Sequence, residues 1–161
     1  MKKQVVILLS VLASVFAFTA CEGGAQSTPE IHYAGKVIRT TAEGQRDTVL
    51  FTDTFHIGDT IRWNMVAYGV YNPLKYFIVS TDTSKLGLSI LADPGDSVAF
   101  AAGTDLEHAQ IYFKPQFVMI WGGWLRIIPH QSGTHDISLT IANEAGKDFS
   151  PRTYSTAIKV K

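Results

Sequence analysis

Thr134-His135-Asp136-Ile137-Ser138-Leu139-Thr140-Ile141-Ala142 alternates apolar and polar side chains: Ile137, Leu139 and Ile141 share one face, and Asp136, Ser138 and Thr140 the other. Successive side chains of an extended strand point to opposite sides, so a period of two predicts a strand with one dry face and one wet face. The pattern recurs in Thr60–Ala67, where Ile61, Trp63, Met65 and Ala67 alternate with Arg62, Asn64 and Val66. Working outward, β-prone segments follow at His32–Thr41, Asp47–Thr52, Leu74–Thr81, Leu86–Ala92, Ser97–Ala101, Ile111–Lys114, Phe117–Ile128 and Thr153–Val160. Gly58-Asp59, Asn72-Pro73 and Asp93-Pro94-Gly95-Asp96 punctuate them as turns. Only Asp105–Gln110 offers a helical turn. Short strands at regular spacing without a long helix predict an all-β fold, an antiparallel β-sandwich of about seven to nine strands, with a small β-barrel as the alternative. Ile61, Trp63, Met65, Ile78, Ile137, Leu139 and Ile141 are the expected core.

The longer stretch Ile128–Gly146 contains Pro129, Gly133-Thr134, the alternating apolar residues and Asn143-Glu144-Ala145-Gly146. It resembles the penultimate strand and turn of immunoglobulin-like bacterial domains of the PKD and cadherin-like type. Phe55-His56-Ile57-Gly58-Asp59-Thr60-Ile61 is similar to the Gly-Asp turn that enters their second strand. The resemblance implies an immunoglobulin-like sandwich that displays its loops to a partner. One departure is His135, which stands where those domains place the tyrosine of the corner hydrogen bond.

The amino terminus carries a different message. Lys2 and Lys3 precede the uncharged, mostly apolar run Val5–Phe18, and Thr19-Ala20 puts small residues before Cys21. Phe18-Thr19-Ala20-Cys21 resembles the lipobox of bacterial lipoproteins, with Phe where Leu is usual. That resemblance implies diacylglyceryl transfer to the Cys21 sulfur, followed by removal of residues 1–20. The apolar run is short for a spanning helix, which needs ~20 residues. Residues 21–30, with Glu22–Glu30 small, polar and broken by Gly and Pro, are expected to form the lipidated cysteine and a flexible tether. Residues 31–161 then form a single domain.

Composition narrows the function further. Hydrophobic residues make up 46% of the chain, enough for a core. Fourteen basic and fourteen acidic residues balance, and loss of Lys2 and Lys3 with the signal leaves a slight acidic excess. No basic stripe marks a nucleic-acid surface. Cys21 is the only cysteine, so once it carries lipid the domain has no thiol for disulfides, cysteine-ligated metals or nucleophilic catalysis.

Aromatic residues crowd one region: Tyr112, Phe113, Phe117, Trp121 and Trp124, with Tyr68, Tyr71 and Tyr76 earlier. Trp121, Trp124, Tyr112 and Phe117 are the candidate ligand or partner surface, because aromatic faces stack on sugar rings as readily as they fill cores. From Phe117 to Trp121 both alternating faces are apolar, so a loop, a partner or a second copy of the chain is expected to cover one of them. Pro115 fits an edge strand, and Gly122-Gly123 is expected to form a bulge that turns Trp124 outward while Trp121 stays inside.

The five histidines match no helix-based zinc motif, and no Asp-rich calcium loop occurs. No metal site and no cofactor beyond the covalent lipid are expected, with interstrand-loop calcium an unsupported alternative. No catalytic motif is present: there is no nucleophile elbow, phosphate-cradling glycine loop or S-x-x-K. The sequence therefore points to a non-catalytic, lipid-anchored cell-envelope domain on the periplasmic face. It would serve protein interaction, adhesion or self-association. The alternatives are a carbohydrate-binding module of a glycan-uptake system and a small envelope hydrolase.

Overall fold

Alternation becomes architecture in the computed structural model, which describes residues 26–115 and 117–161. The signal segment and Cys21 lie outside the described residues. Eleven strands are described: β1 (Glu30–Tyr33), β2 (Lys36–Thr40), β3 (Arg46–Leu50), β4 (Thr54–Phe55), β5 (Thr60–Tyr68), β6 (Leu74–Ser80), β7 (Leu86–Leu91), β8 (Gln110–Tyr112), β9 (Ile120–Pro129), β10 (Gly133–Asn143) and β11 (Arg152–Val160). One sheet runs β3-β2-β5-β9-β7 with β1 also on β5, and the other runs β4-β11-β10-β6-β8. Neither sheet closes on itself, so the fold is a β-sandwich and not a barrel. Its pairings are antiparallel, apart from the short parallel contact of β4 with β11.

The inner faces supply the core. Ile61, Trp63 and Met65 of β5 meet Ile137, Leu139 and Ile141 of β10 in the buried layer, as the alternation predicts. Trp63 stacks on Phe51 at 4.0 Å between ring centroids, and its Nε1 donates to the Ala34 carbonyl at 2.8 Å. Ile78 does not join them. Leu74, Phe77 and Val79 are the buried residues of β6, and Ile78 falls on the opposite, partly exposed face from Phe77 and Val79. An all-apolar run such as Phe77-Ile78-Val79 carries no alternation to say which phase turns inward.

Three segments take other forms than expected. The β-prone His32–Thr41 divides at Ala34-Gly35, so that β1 pairs with the Met65–Tyr68 end of β5 and β2 with its Thr60–Arg62 end. Ser97–Ala101 is no strand: Pro94–Ala99 winds as a 3₁₀ helix, begun by the fixed φ of Pro94 and by Asp96 accepting from Asp93 N at 3.3 Å. Asp105–Gln110 closes as a turn through two backbone bonds of 2.8 Å between its end residues.

The β9 region needs the largest correction. The strand begins only at Ile120, and it lies inside its sheet between β5 and β7, so it is not an edge. Pro115 follows β8, which is the edge of the other sheet. No bulge interrupts Gly122-Gly123: the register runs unbroken from Ile61↔Ile127 to Tyr68↔Ile120. Odd spacing alone puts Trp121 and Trp124 on opposite faces. Gly123 makes room for Trp121, because a Cβ there would stand 2.4 Å from the indole Cζ2.

Part of the segment expected to be a tether is packed onto the sandwich. Ser27 is buried and hydrogen-bonded to Asn72 and Gly69, and strand structure begins at Glu30. The corner histidine finds a role as well: His135 is buried, and its Nε2 donates to the Gln131 carbonyl at 2.7 Å, four residues upstream. It thus ties a side chain to preceding backbone, as the corner tyrosine of sandwiches does.

Candidate functional site

The four aromatic candidates do not form one surface. Trp121 is 5% exposed and packs against Phe77 and Phe113, so it belongs to the core and presents nothing to a ligand. Phe117 is exposed in the segment between β8 and β9. Tyr112 lies at the β8 edge, 6.1 Å from Tyr76 between ring centroids, in a shallow groove with Lys75, Phe113 and Pro115. Trp124 alone stands on the outer face of the β5–β9–β7 sheet, 36% exposed.

Trp124 lines a cleft of about 280 Å³ with Ile38, Arg46, Arg62, Leu91 and Asp93. Sheet register builds this group from five strands and a turn. Trp124 lies opposite Leu91 of β7 on one side and Asn64 of β5 on the other. Two residues along β5, Arg62 lies opposite Ile38 of β2. Arg46 enters from β3, and Asp93 from the turn after β7. The result is an aromatic wall with aliphatic flanks and polar groups at its mouth.

Charge in this region is unbalanced. Arg62 sits directly across from Arg126 of β9, a like-charge pair that destabilises a sheet. Arg126 Nε donates to the Ser89 hydroxyl at 2.8 Å. Among the described residues no carboxylate forms an ion pair with Arg46, Arg62 or Arg126. By contrast, Arg39 on the inner phase of β2 is paired with Asp47. Guanidinium groups carry planar donors that suit carboxylates, sulfates and vicinal hydroxyls. Sequence reading missed Arg46, Arg62 and Asp93 because no local motif joins them. The one signal was the polar phase of β5, which already put Arg62 on the face opposite Trp63.

A second cleft, of about 320 Å³, gathers Arg39, Glu43, His56 and Asp59 at the end of the sheet where Thr40 of β2 pairs with Thr60 of β5. It brings two carboxylates, Glu43 and Asp59, to one cleft. The Asp59 carboxylate is spent on its own turn, accepting from His56 N at 2.9 Å. A hydrogen bond from Thr41 holds the exposed Glu43 carboxyl below its usual range, the reverse of what a general acid needs. The histidines are scattered: His32 meets Glu30, His108 meets Asp105, and His135 meets the backbone. Among the described residues no three metal-ligating side chains converge.

No family model matches the chain, and no curated protein matches it. Among solved structures it is similar to a family 123 glycoside hydrolase from Clostridium perfringens, described for glycolipid glycan hydrolysis. The identity is 14% and the TM-score 0.45, over 83% of this chain and 27% of that one. The chain thus spans about a quarter of that enzyme's length.

Proposed function

We propose that this protein is a lipid-anchored, non-catalytic envelope domain that holds a sugar chain in the Trp124 cleft. The carrying observation is an outward tryptophan set among Arg46, Arg62 and Asp93 on an otherwise regular sheet face. Indole stacks on the apolar face of a sugar ring, while guanidinium and carboxylate groups bond its hydroxyls. Uncompensated arginines make the preferred ligand an acidic polysaccharide, bearing carboxylate or sulfate. The anchor is Cys21, read from the lipobox-like Phe18-Thr19-Ala20-Cys21. The immunoglobulin-like resemblance supports the same account, since such sandwiches present ligands on faces and loops.

Affinity electrophoresis in gels containing acidic or neutral polysaccharides tests the reading. Wild type should be retarded, most strongly by acidic chains at low salt, and Trp124→Ala should abolish retardation with an unchanged melting temperature. Arg62→Ala should weaken retention by acidic chains more than by neutral ones. Full mobility of wild type in every gel, or full retention of Trp124→Ala, would overturn it.

A further inference from the structure

The end of the sandwich that receives the amino-terminal segment also exposes several large apolar side chains. Ser27 N donates to Asn72 Oδ1 at 3.1 Å, its Oγ donates to the Gly69 carbonyl at 3.1 Å, and it accepts from Tyr71 N at 3.0 Å. Only six peptide steps separate Ser27 from Cys21, and a fully extended chain of that length reaches about 20 Å. Lipid on Cys21 would therefore keep the β5–β6 turn close to the bilayer.

That turn and its neighbour expose Tyr71 at 71%, Ile120 at 59% and Phe117 at 58%, together with Val70 and Met119. Two backbone bonds join the segments: Gly69 N to the Met119 carbonyl at 2.7 Å, and Leu74 N to the Val118 carbonyl at 2.6 Å. Val70 adopts a φ of 60°, a left-handed conformation that β-branched residues avoid. An apolar side chain thus stands at the tip where Gly or Asn would fit without strain.

We propose that this end is a membrane-docking face, in which Tyr71, Phe117 and Ile120, with Val70 and Met119, enter the lipid interface around the acyl anchor. The proposal rests on the lipidation reading. Apolar contact of this kind adds to the affinity of the acyl chains, and aromatic rings favour the headgroup boundary. It also sets the orientation of the domain. Trp124 is four residues along β9 from Ile120, roughly 13 Å at strand rise, so the cleft opens beside the membrane and not into it.

The full lipidated chain, carrying Phe117→Cys or Ile57→Cys labelled with an environment-sensitive fluorophore, tests this in phosphatidylethanolamine/phosphatidylglycerol vesicles. Position 57 is an exposed control in the turn preceding β5, at the strand end opposite Tyr68. Flotation with the vesicles reports anchoring, and quenching by doxyl-labelled lipid reports docking. The label at 117 should shift to the blue and be quenched, while the label at 57 does neither. Flotation with equal quenching at both positions, or at neither, would overturn docking and leave the anchor intact. Failure to float, matching Cys21→Ala, would remove the lipidation reading and the docking with it. A blue shift at 117 that follows protein density without doxyl quenching would assign the face to a second copy and overturn the proposal.

Discussion

Asn143 Nδ2 donates to the Ser27 carbonyl at 2.8 Å, joining residues 116 positions apart at a buried point between the end of β10 and the entering chain. The same amide donates to the Gly69 carbonyl at 2.9 Å. A register shift between Ala142 and Asn143 accompanies the inward turn of this polar side chain. One amide therefore holds the amino-terminal segment, the β5–β6 turn and β10 together.

Asn143→Ala should cost about 1–3 kcal/mol, because it leaves a buried carbonyl without a donor. Urea unfolding measures this. A loss within ~0.5 kcal/mol, the usual range of surface substitutions, would show that Ser27 is held by other contacts.

Leu139→Ala should cost about 2–5 kcal/mol through the cavity it leaves between the sheets, since Leu139 is fully buried. Asp136→Ala, exposed three residues away in the opposite phase, should stay within ~0.5 kcal/mol. Equal melting temperatures for the two variants would contradict the register of β10.

Adjacent glycines should answer differently to the same change. At Gly123 a Cβ would collide with the Trp121 indole, and overpacking of this kind costs about 1–3 kcal/mol. At Gly122 the nearest atom, Val66 Cγ2, is 3.7 Å away, so Gly122→Ala should be neutral or mildly stabilising. Thermal unfolding of the pair distinguishes this account from one in which both glycines serve a bulge.

Hydrogen bonds from Lys85 and Ser84 pull the Asp82 carboxyl from 3.8 down to about 2. The folded state therefore favours the anion. Its stabilising contribution is complete above pH 3.8 and disappears as pH falls through about 2. The group is exposed, so the contribution is small. Asp82→Asn should be slightly less stable than wild type at pH 6, and the difference should close between pH 4 and pH 2. A constant difference across that range would show that the ion pair with Lys85 has no part in it.

The cleft was less legible than the core because its neighbours come from separate strands. Trp124 was a candidate from the aromatic cluster, but nothing near it in the chain announces Arg46 or Asp93. Register across β3, β2, β5, β9 and β7 brings them together. Trp121 shows the converse: its composition marked it as a surface candidate, and its phase on β9 made it core.

Alternation in Thr60–Ala67 and Thr134–Ala142 by itself determined that these segments are strands and which side of each is buried. Side-chain direction follows from backbone pleat, a local property with a period of two. The expectation of a lipid anchor likewise rests on contiguous residues, Phe18-Thr19-Ala20-Cys21. Tertiary structure alone decided that β9 is interior, that Ile78 faces outward, and that the segments carrying Phe117 and Tyr71 are joined at the end where Ser27 is pinned. Those facts depend on which strand lies beside which. Strand pairing is set by contacts between residues far apart in the chain, so no window of sequence contains it.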